Sequence, residues 1–156
     1  MASPENKIPI LGVCFGHQLL VHVLGGTVGQ NPNGAEFGVV DLMKHQAANH
    51  DPLFKDFPDI MSMYVFHYES VLQLPSDAVV LASNSHDPYQ AFRYGQNIWG
   101  VQFHPEFDSE IMEHAIDVYG CAMKDANYDL THLRQNNVDS GQGHTLLRRF
   151  IKAAYA

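Results

Sequence analysis

Two short stretches of this chain hold residues whose types and spacing could do covalent chemistry. One is a cysteine between glycines, Gly12-Val-Cys14-Phe-Gly16; the other is a histidine two residues before a glutamate, His104-Pro-Glu106. A thiol attacking a carbonyl carbon needs a base to take its proton, and that base benefits from a third group that fixes its tautomer and ring orientation. His104 and Glu106 can supply both roles. Two residues apart in extended chain they point to the same side, and Pro105 restricts the backbone between them. A nucleophile on a sharp strand-to-helix turn sits in strained backbone, and the residues two positions either side come too close to tolerate a Cβ easily, which is the physical reason expected for Gly12 and Gly16. Such a turn projects the sulfur from the strand end beside the first N–H groups of a helix, a setting that favours thiolate, and it puts the Phe15 N–H where it could hold an oxyanion. Taken singly, Cys14 also reads as a small buried hydrophobe and His104-Pro-Glu106 as a surface pair. Together they point to nucleophilic catalysis.

Other constellations carry less. The sequence has ten histidines, but His17 and His22 do not share a helical face well, and His45, His50, His132 and His144 lack cysteine or carboxylate neighbours at metal-site spacing, so no metal and no cofactor is expected. Cys121, in Tyr-Gly-Cys121-Ala-Met-Lys, has no glycine-flanked context and reads as packing. There is no Walker loop, no dinucleotide fingerprint and no Ser-Gly-Gly-rich loop that would activate an acceptor.

The elements that must position these groups are legible as patterns. Residues 8–13 form a short, nearly continuous apolar run, the mark of a strand covered on both faces in a parallel sheet. From Gly16, Leu19, Leu20, Val23 and Leu24 recur at helical spacing as far as Gly25-Gly26, a pair suited to ending a helix. Further strands are predicted at 37–43, 61–66, 78–82, 90–94 and 98–103, with hairpin-like spacing that suggests a partly antiparallel middle. Residues 109–119 read as a helix with Ile111, Met112, Ala115, Ile116 and Tyr119 on one side, residues 145–155 as a C-terminal helix, and the polar stretch 124–143 is left without an element.

At 156 residues and 46% hydrophobic content the chain suits one core, and a single domain over 1–156 is expected. Nine basic against 17 acidic residues give a formal charge of -8, which argues against nucleic acid or an acidic membrane surface as partner. Two cysteines make no disulfide framework, and no signal peptide or membrane-spanning run is present, so a cytoplasmic location with reduced thiols is expected.

Gly12-Val-Cys-Phe-Gly-His-Gln18 and Gln102-Phe-His-Pro-Glu106 resemble the two motifs of the class I (triad) glutamine amidotransferases, Gly-x-Cys-x-Gly-x-Gln and Gln-Phe-His-Pro-Glu. Gly25-Gly26, Ala35-Glu-Phe-Gly38 and Trp99-Gly-Val-Gln102 also fit, and the likeness is greatest to the amidotransferase part of GMP synthase and its stand-alone relatives, over residues 8–119. The resemblance implies an α/β fold, a flavodoxin-like three-layer sandwich with an antiparallel β-rich middle. It implies that Cys14 attacks the side-chain amide of glutamine, that His104 carries the proton to the departing ammonia, that Glu106 orients His104, and that water releases glutamate from a γ-glutamyl thioester. Gln18 matches the motif glutamine that contacts substrate. Tyr68 and Glu69 fall in Phe66-His-Tyr-Glu-Ser-Val71, where the family has a pocket-lining stretch whose usual acid is here replaced by Glu69.

In the family, several strands and a loop giving a second oxyanion N–H precede the nucleophile strand. The chain is therefore expected to be N-terminally truncated. An apolar strand at 8–13 wants neighbours on both edges, from an upstream segment, a second copy in a homo-oligomer, or a separate protein. The implied ligands are glutamine or a γ-glutamyl substrate, and the implied partner is an ammonia-accepting synthetase. A γ-glutamyl peptide hydrolase, or a catalytically weak binding protein built on the same fold, stays open as an alternative.

Overall fold

A computed structural model describes residues 8–155. The chain runs β1 (Ile10–Val13), α1 (Phe15–Val23), β2 (Thr27–Gln30), β3 (Glu36–Lys44), a 3₁₀ turn (Gln46–His50), β4 (Ile60–His67), β5 (Glu69–Gln73), β6 (Ala78–Ser83), β7 (Ala91–Tyr94), β8 (Ile98–Val101), α2 (Ser109–Asp125), α3 (Leu130–Gln135) and α4 (Gln142–Ala154). A six-stranded sheet has the order β1-β8-β7-β6-β3-β4, and β2 and β5 form a second sheet of two strands. The pair β1 and β8 is parallel, and every other pairing is antiparallel, as the hairpin-like spacing predicts. No helix among the described residues is long and apolar enough to cross a membrane.

The parallel register sets Gly12 opposite Gly100 and Val13 opposite Val101. A Cβ on Gly12 would lie 2.5 Å from the Gly16 carbonyl oxygen and 2.6 Å from Leu20 Cδ1, and one on Gly100 would meet the Phe92 ring and His17 Nδ1. Bare backbone at this pair is what lets α1 settle on the sheet. Gly16 differs from expectation: nothing lies within 4 Å of its Cβ position, because it already belongs to the outer side of α1.

The faces of α1 also differ from the apolar pattern. His17, Gln18 and Val21 are the buried residues, whereas Phe15, Leu19 and Val23 are exposed. The helix wedges Val21 into a cluster with Val71 of β5 and Phe92 of β7, so its buried side is chosen by the second sheet as well as by β1. Ile10 is exposed on β1, which pairs with β8 on one side and with no other strand among the described residues.

Beyond β8, α2 starts on the side chain of Asp108, which accepts from the Ile111 N–H, and runs further than predicted to Asp125, burying Met112, Ala115, Ile116, Gly120 and Met123. Ile111, Tyr119 and Cys121 are exposed; the reading of Cys121 as packing is therefore corrected, since it faces away from that buried stripe. The polar stretch 124–143 contains α3, held at its start by Asp129, whose side chain accepts from the Thr131 and His132 N–H groups. With one buried residue, Leu133, in six, so short a helix leaves almost no apolar periodicity to detect.

Candidate active site

Cys14 occupies the single residue between β1 and α1 with φ 48 and ψ -103, a conformation that costs an L-residue on the order of 1–3 kcal/mol. It is held there from both sides. Its N–H donates to the Val101 carbonyl at 2.8 Å, continuing the parallel ladder, and its carbonyl accepts from the Gln18 N–H at 3.1 Å. Phe15 is the first residue of α1, so its N–H belongs to the helix-start donors that have no intrahelical acceptor.

The same ladder delivers the second motif. Since Cys14 follows Val13 and Gln102 follows Val101, the chain leaving β8 passes beside the cysteine, and the Gln102 side-chain amide reaches Cys14 Sγ at 3.6 Å. His104 is anchored by its N–H to the Tyr64 carbonyl of β4 at 2.8 Å, and its ring stacks on Phe107 with centroids 4.3 Å apart. Nδ1 meets Glu106 Oε1 at 2.7 Å, which turns the other ring nitrogen toward Cys14. Burial by itself would lower the His104 pKa, but hydrogen bonds to Cys14 and Glu106 and the negative charge on both raise it to about 9. Burial likewise pushes Glu106 up, and its hydrogen bond and ion pair with His104 outweigh this and hold it below 4.5. His17 is fully buried, which drives its pKa down to about 3, and its ring packs on Phe92 at 5.1 Å.

These shifts set a pH window. A raised histidine stabilises the fold fully below its ordinary 6.5 and loses that contribution as pH rises through about 9, while a lowered carboxylate stabilises above 4.5 and loses its contribution as pH falls below that. The stability margin of wild type over Glu106→Gln is thus expected to be widest between pH 4.5 and 6.5 and to narrow toward pH 9. Urea unfolding of both proteins across that range checks it.

A cleft of about 450 Å³ opens at the sulfur, lined by Cys14, Gln18, Phe66, His67, Tyr68 and Glu69. Gln18 is nearly buried, and its amide donates to the Glu69 carbonyl at 2.8 Å and to Gln102 Oε1 at 3.1 Å. Cys14 Sγ lies 3.7 Å from the Phe66 carbonyl. Tyr68 is half-exposed with its ring edge on Phe37, and Glu69 is exposed, so both stand on the rim. The fold thus brings Cys14, Gln18, Tyr68 and Glu69 to one cleft, with Phe15 next to Cys14 in the chain, while His104 and Glu106, bonded to each other, follow Gln102, whose amide reaches Cys14, and do not themselves line the cleft. Gln102 and His67 belong to this site as well; both stand inside the motif stretches, yet neither type announces a role, since their parts depend on β8 and β4 ending beside Cys14. Another cleft, of about 460 Å³, lies between β3 and α3 and contains no cysteine.

Residues 2–117 match the family model described as glutamine amidotransferase class-I. The chain is 34% identical over 117 residues to the glutamine-hydrolyzing GMP synthase of Aeropyrum pernix, covering 72% of this chain and 22% of that protein. It is 31% identical over 154 residues to Gamma-glutamyl peptidase 5 of Arabidopsis thaliana, covering 95% of this chain and 61% of that protein. Among solved structures, a glutamine amidotransferase from Thermotoga maritima superposes with TM-score 0.78 at 28% identity, over 94% of this chain and 62% of that one. The chain therefore spans between about a fifth and three fifths of the length of these relatives.

Proposed function

Because the chain belongs to the class-I glutamine amidotransferase family, we propose that it hydrolyses the side-chain amide of glutamine to glutamate and ammonia through Cys14, His104 and Glu106. The observation that supports this reading is a backbone-strained cysteine whose sulfur is reached by the Gln102 amide, two residues before a histidine bonded to a carboxylate at 2.7 Å. His104 holds the proton given up by Cys14, and Sγ attacks the amide carbon as the thiolate. Negative charge gathers on the amide oxygen, where the Phe15 N–H can donate to it. The carbon–nitrogen bond breaks, His104 returns the proton to the leaving amine, and a γ-glutamyl thioester remains on Cys14. Water, losing a proton to His104, then attacks the thioester and releases glutamate and the free thiol. Glu106 keeps the ring in the tautomer and direction both steps need.

Gln18 and the rim residues Tyr68 and Glu69 are the groups placed to meet the γ-glutamyl portion. The ammonia would pass to a synthetase partner, the arrangement suggested by kinship with the glutamine-hydrolyzing GMP synthase subunit of Pyrococcus abyssi, to which the chain is 36% identical over 115 residues. A second reading, cleavage of a γ-glutamyl peptide by the same steps, is favoured by one observation. The likeness to Gamma-glutamyl peptidase 5 covers 95% of the chain, somewhat more than the 86% covered by the glutamine-hydrolyzing GMP synthase of Thermosipho africanus.

Intact-mass analysis after incubation with a diazo-ketone glutamine analogue tests the proposal. One adduct, on Cys14 and suppressed by glutamine, is expected; a folded protein that takes up none would overturn it. Glutamate release from glutamine and from a γ-glutamyl dipeptide then separates the two substrates. In the same assay His104→Ala is expected to cost about 10²–10⁴-fold, the usual worth of a positioned acid–base group, and Glu106→Gln a smaller part of that.

A further inference from the structure

One wall of the cleft is made of backbone. The Phe66 carbonyl faces Cys14 Sγ, and the Glu69 carbonyl receives the Gln18 amide. Phe66 lies near the end of β4 and Glu69 opens β5, with Tyr68 alone between the strands; the Glu69 side chain is exposed, and the half-exposed Tyr68 ring touches Phe37 only by its edge. What lies behind this wall is a buried polar cluster. His67 Nδ1 meets the same Glu69 carbonyl at 3.0 Å, and Nε2 meets Glu36 Oε2 at 2.9 Å. Glu36 and His67 are each 3% exposed and stand directly opposite in the β3–β4 register. The carboxylate also accepts from Gln90 Nε2 at 2.7 Å and from Asn84 Nδ2. The Ser70 hydroxyl, which accepts from Asn31 Nδ2 at 2.9 Å, flanks His67 Nδ1 at 3.3 Å.

A buried carboxylate and imidazole are a poor way to glue two strands, since an apolar pair of similar volume generally does as well or better. An apolar side chain cannot, however, reach the Glu69 carbonyl and set its direction. That carbonyl takes the Gln18 amide, whose second bond goes to Gln102, which in turn touches Cys14. A ring bonded at both ends is a rigid strut between the β3–β4 strand ends and this chain of contacts.

We infer that His67, braced by Glu36, is a positioning residue that holds the Glu69 carbonyl, and through it Gln18, in the geometry that receives a γ-glutamyl group. The inference rests on the substrate reading above, and the test separates the two. The rate of Cys14 alkylation by iodoacetamide is followed by peptide mass spectrometry, which resolves it from the exposed Cys121, alone and with rising L-glutamine or γ-glutamyl dipeptide. Wild type, His67→Asn and Glu36→Gln are compared; the last keeps side-chain shape and guards against a variant that fails to fold. Both variants are expected to need about tenfold more ligand for half-protection, the equivalent of one misplaced hydrogen bond, and Glu36→Gln, outside the cleft lining, is expected to keep alkylation in the absence of ligand within about twofold of wild type. Asp51→Asn, at a carboxylate equally buried but bonded to Trp99 and Leu53, is expected to leave half-protection unchanged. Unchanged half-protection in folded Glu36→Gln, or a parallel fall in unliganded alkylation, overturns the positioning role. Failure of both ligands to protect wild type overturns the substrate reading and this inference with it.

Discussion

Cys14→Ala is expected to lower glutamine hydrolysis by on the order of 10⁵–10⁶-fold, to the limit of detection, with the fold intact. The loss is large because no other group can replace the thiol: the only other cysteine among the described residues, Cys121, is exposed on α2 and outside the cleft. The structural cost is small because the sulfur's hydrogen-bonding contacts are long, 3.6 Å to Gln102 and 3.7 Å to the Phe66 carbonyl, and the backbone bonds that hold residue 14 are independent of its side chain. Alanine keeps the strain of φ 48. Cys14→Gly relieves it and is expected to be about 1–3 kcal/mol more stable than Cys14→Ala, so the pair measures what the turn stores. Glutamate release together with urea melts of all three proteins reads both effects. Hydrolysis by Cys14→Ala within tenfold of wild type would remove Cys14 from the mechanism, since a tenfold loss is only about 1.4 kcal/mol of barrier.

Gly12→Ala is expected to be the most disruptive small change in the elbow, and Gly16→Ala a mild one. The added methyl at Gly12 meets the Gly16 carbonyl oxygen at 2.5 Å as well as Leu20 Cδ1 at 2.6 Å. A leucine tip can turn aside, but a helix carbonyl moves only if α1 moves. Overpacking of this kind costs about 1–3 kcal/mol, and the forced shift of α1 carries Cys14 and the Phe15 N–H out of alignment, where a displacement of about 1 Å is worth roughly 10²-fold in rate. At Gly16 the Cβ site is open, and alanine is expected to gain about 0.5–1 kcal/mol from helix propensity. Denaturant midpoints with adduct formation on Cys14 distinguish the two. Equal stability of the Gly12→Ala and Gly16→Ala proteins would mean that α1 is not seated against bare backbone at residue 12.

The contrast between these glycines shows where the sequence was legible. Glycine on both sides of Cys14 marks the turn, but only the packing of α1 reveals that one glycine makes room and the other does not. The apolar pattern of α1 likewise located the helix without its orientation: Leu19 and Val23 share the spacing of buried residues and are exposed, while His17 and Gln18 are inside. Three short, mixed-polarity elements, β2, β5 and α3, escaped notice because strands of four and five residues, or six of helix with one buried leucine, do not generate a period.

By itself the sequence determined the local chemistry. It shows a thiol on a strand-to-helix elbow, and a histidine and a glutamate separated by a proline so that they can bond one another, because each of these depends on neighbours within a few residues. The tertiary structure alone decided what those groups face. The parallel register Val13 opposite Val101 brings the residues after β8 alongside Cys14, the antiparallel register Glu36 opposite His67 builds the strut behind the cleft, and β5 carries the Glu69 carbonyl to Gln18. Such contacts join segments far apart in the chain, and their geometry follows from how strands pair and how a helix seats on them, which no local pattern encodes.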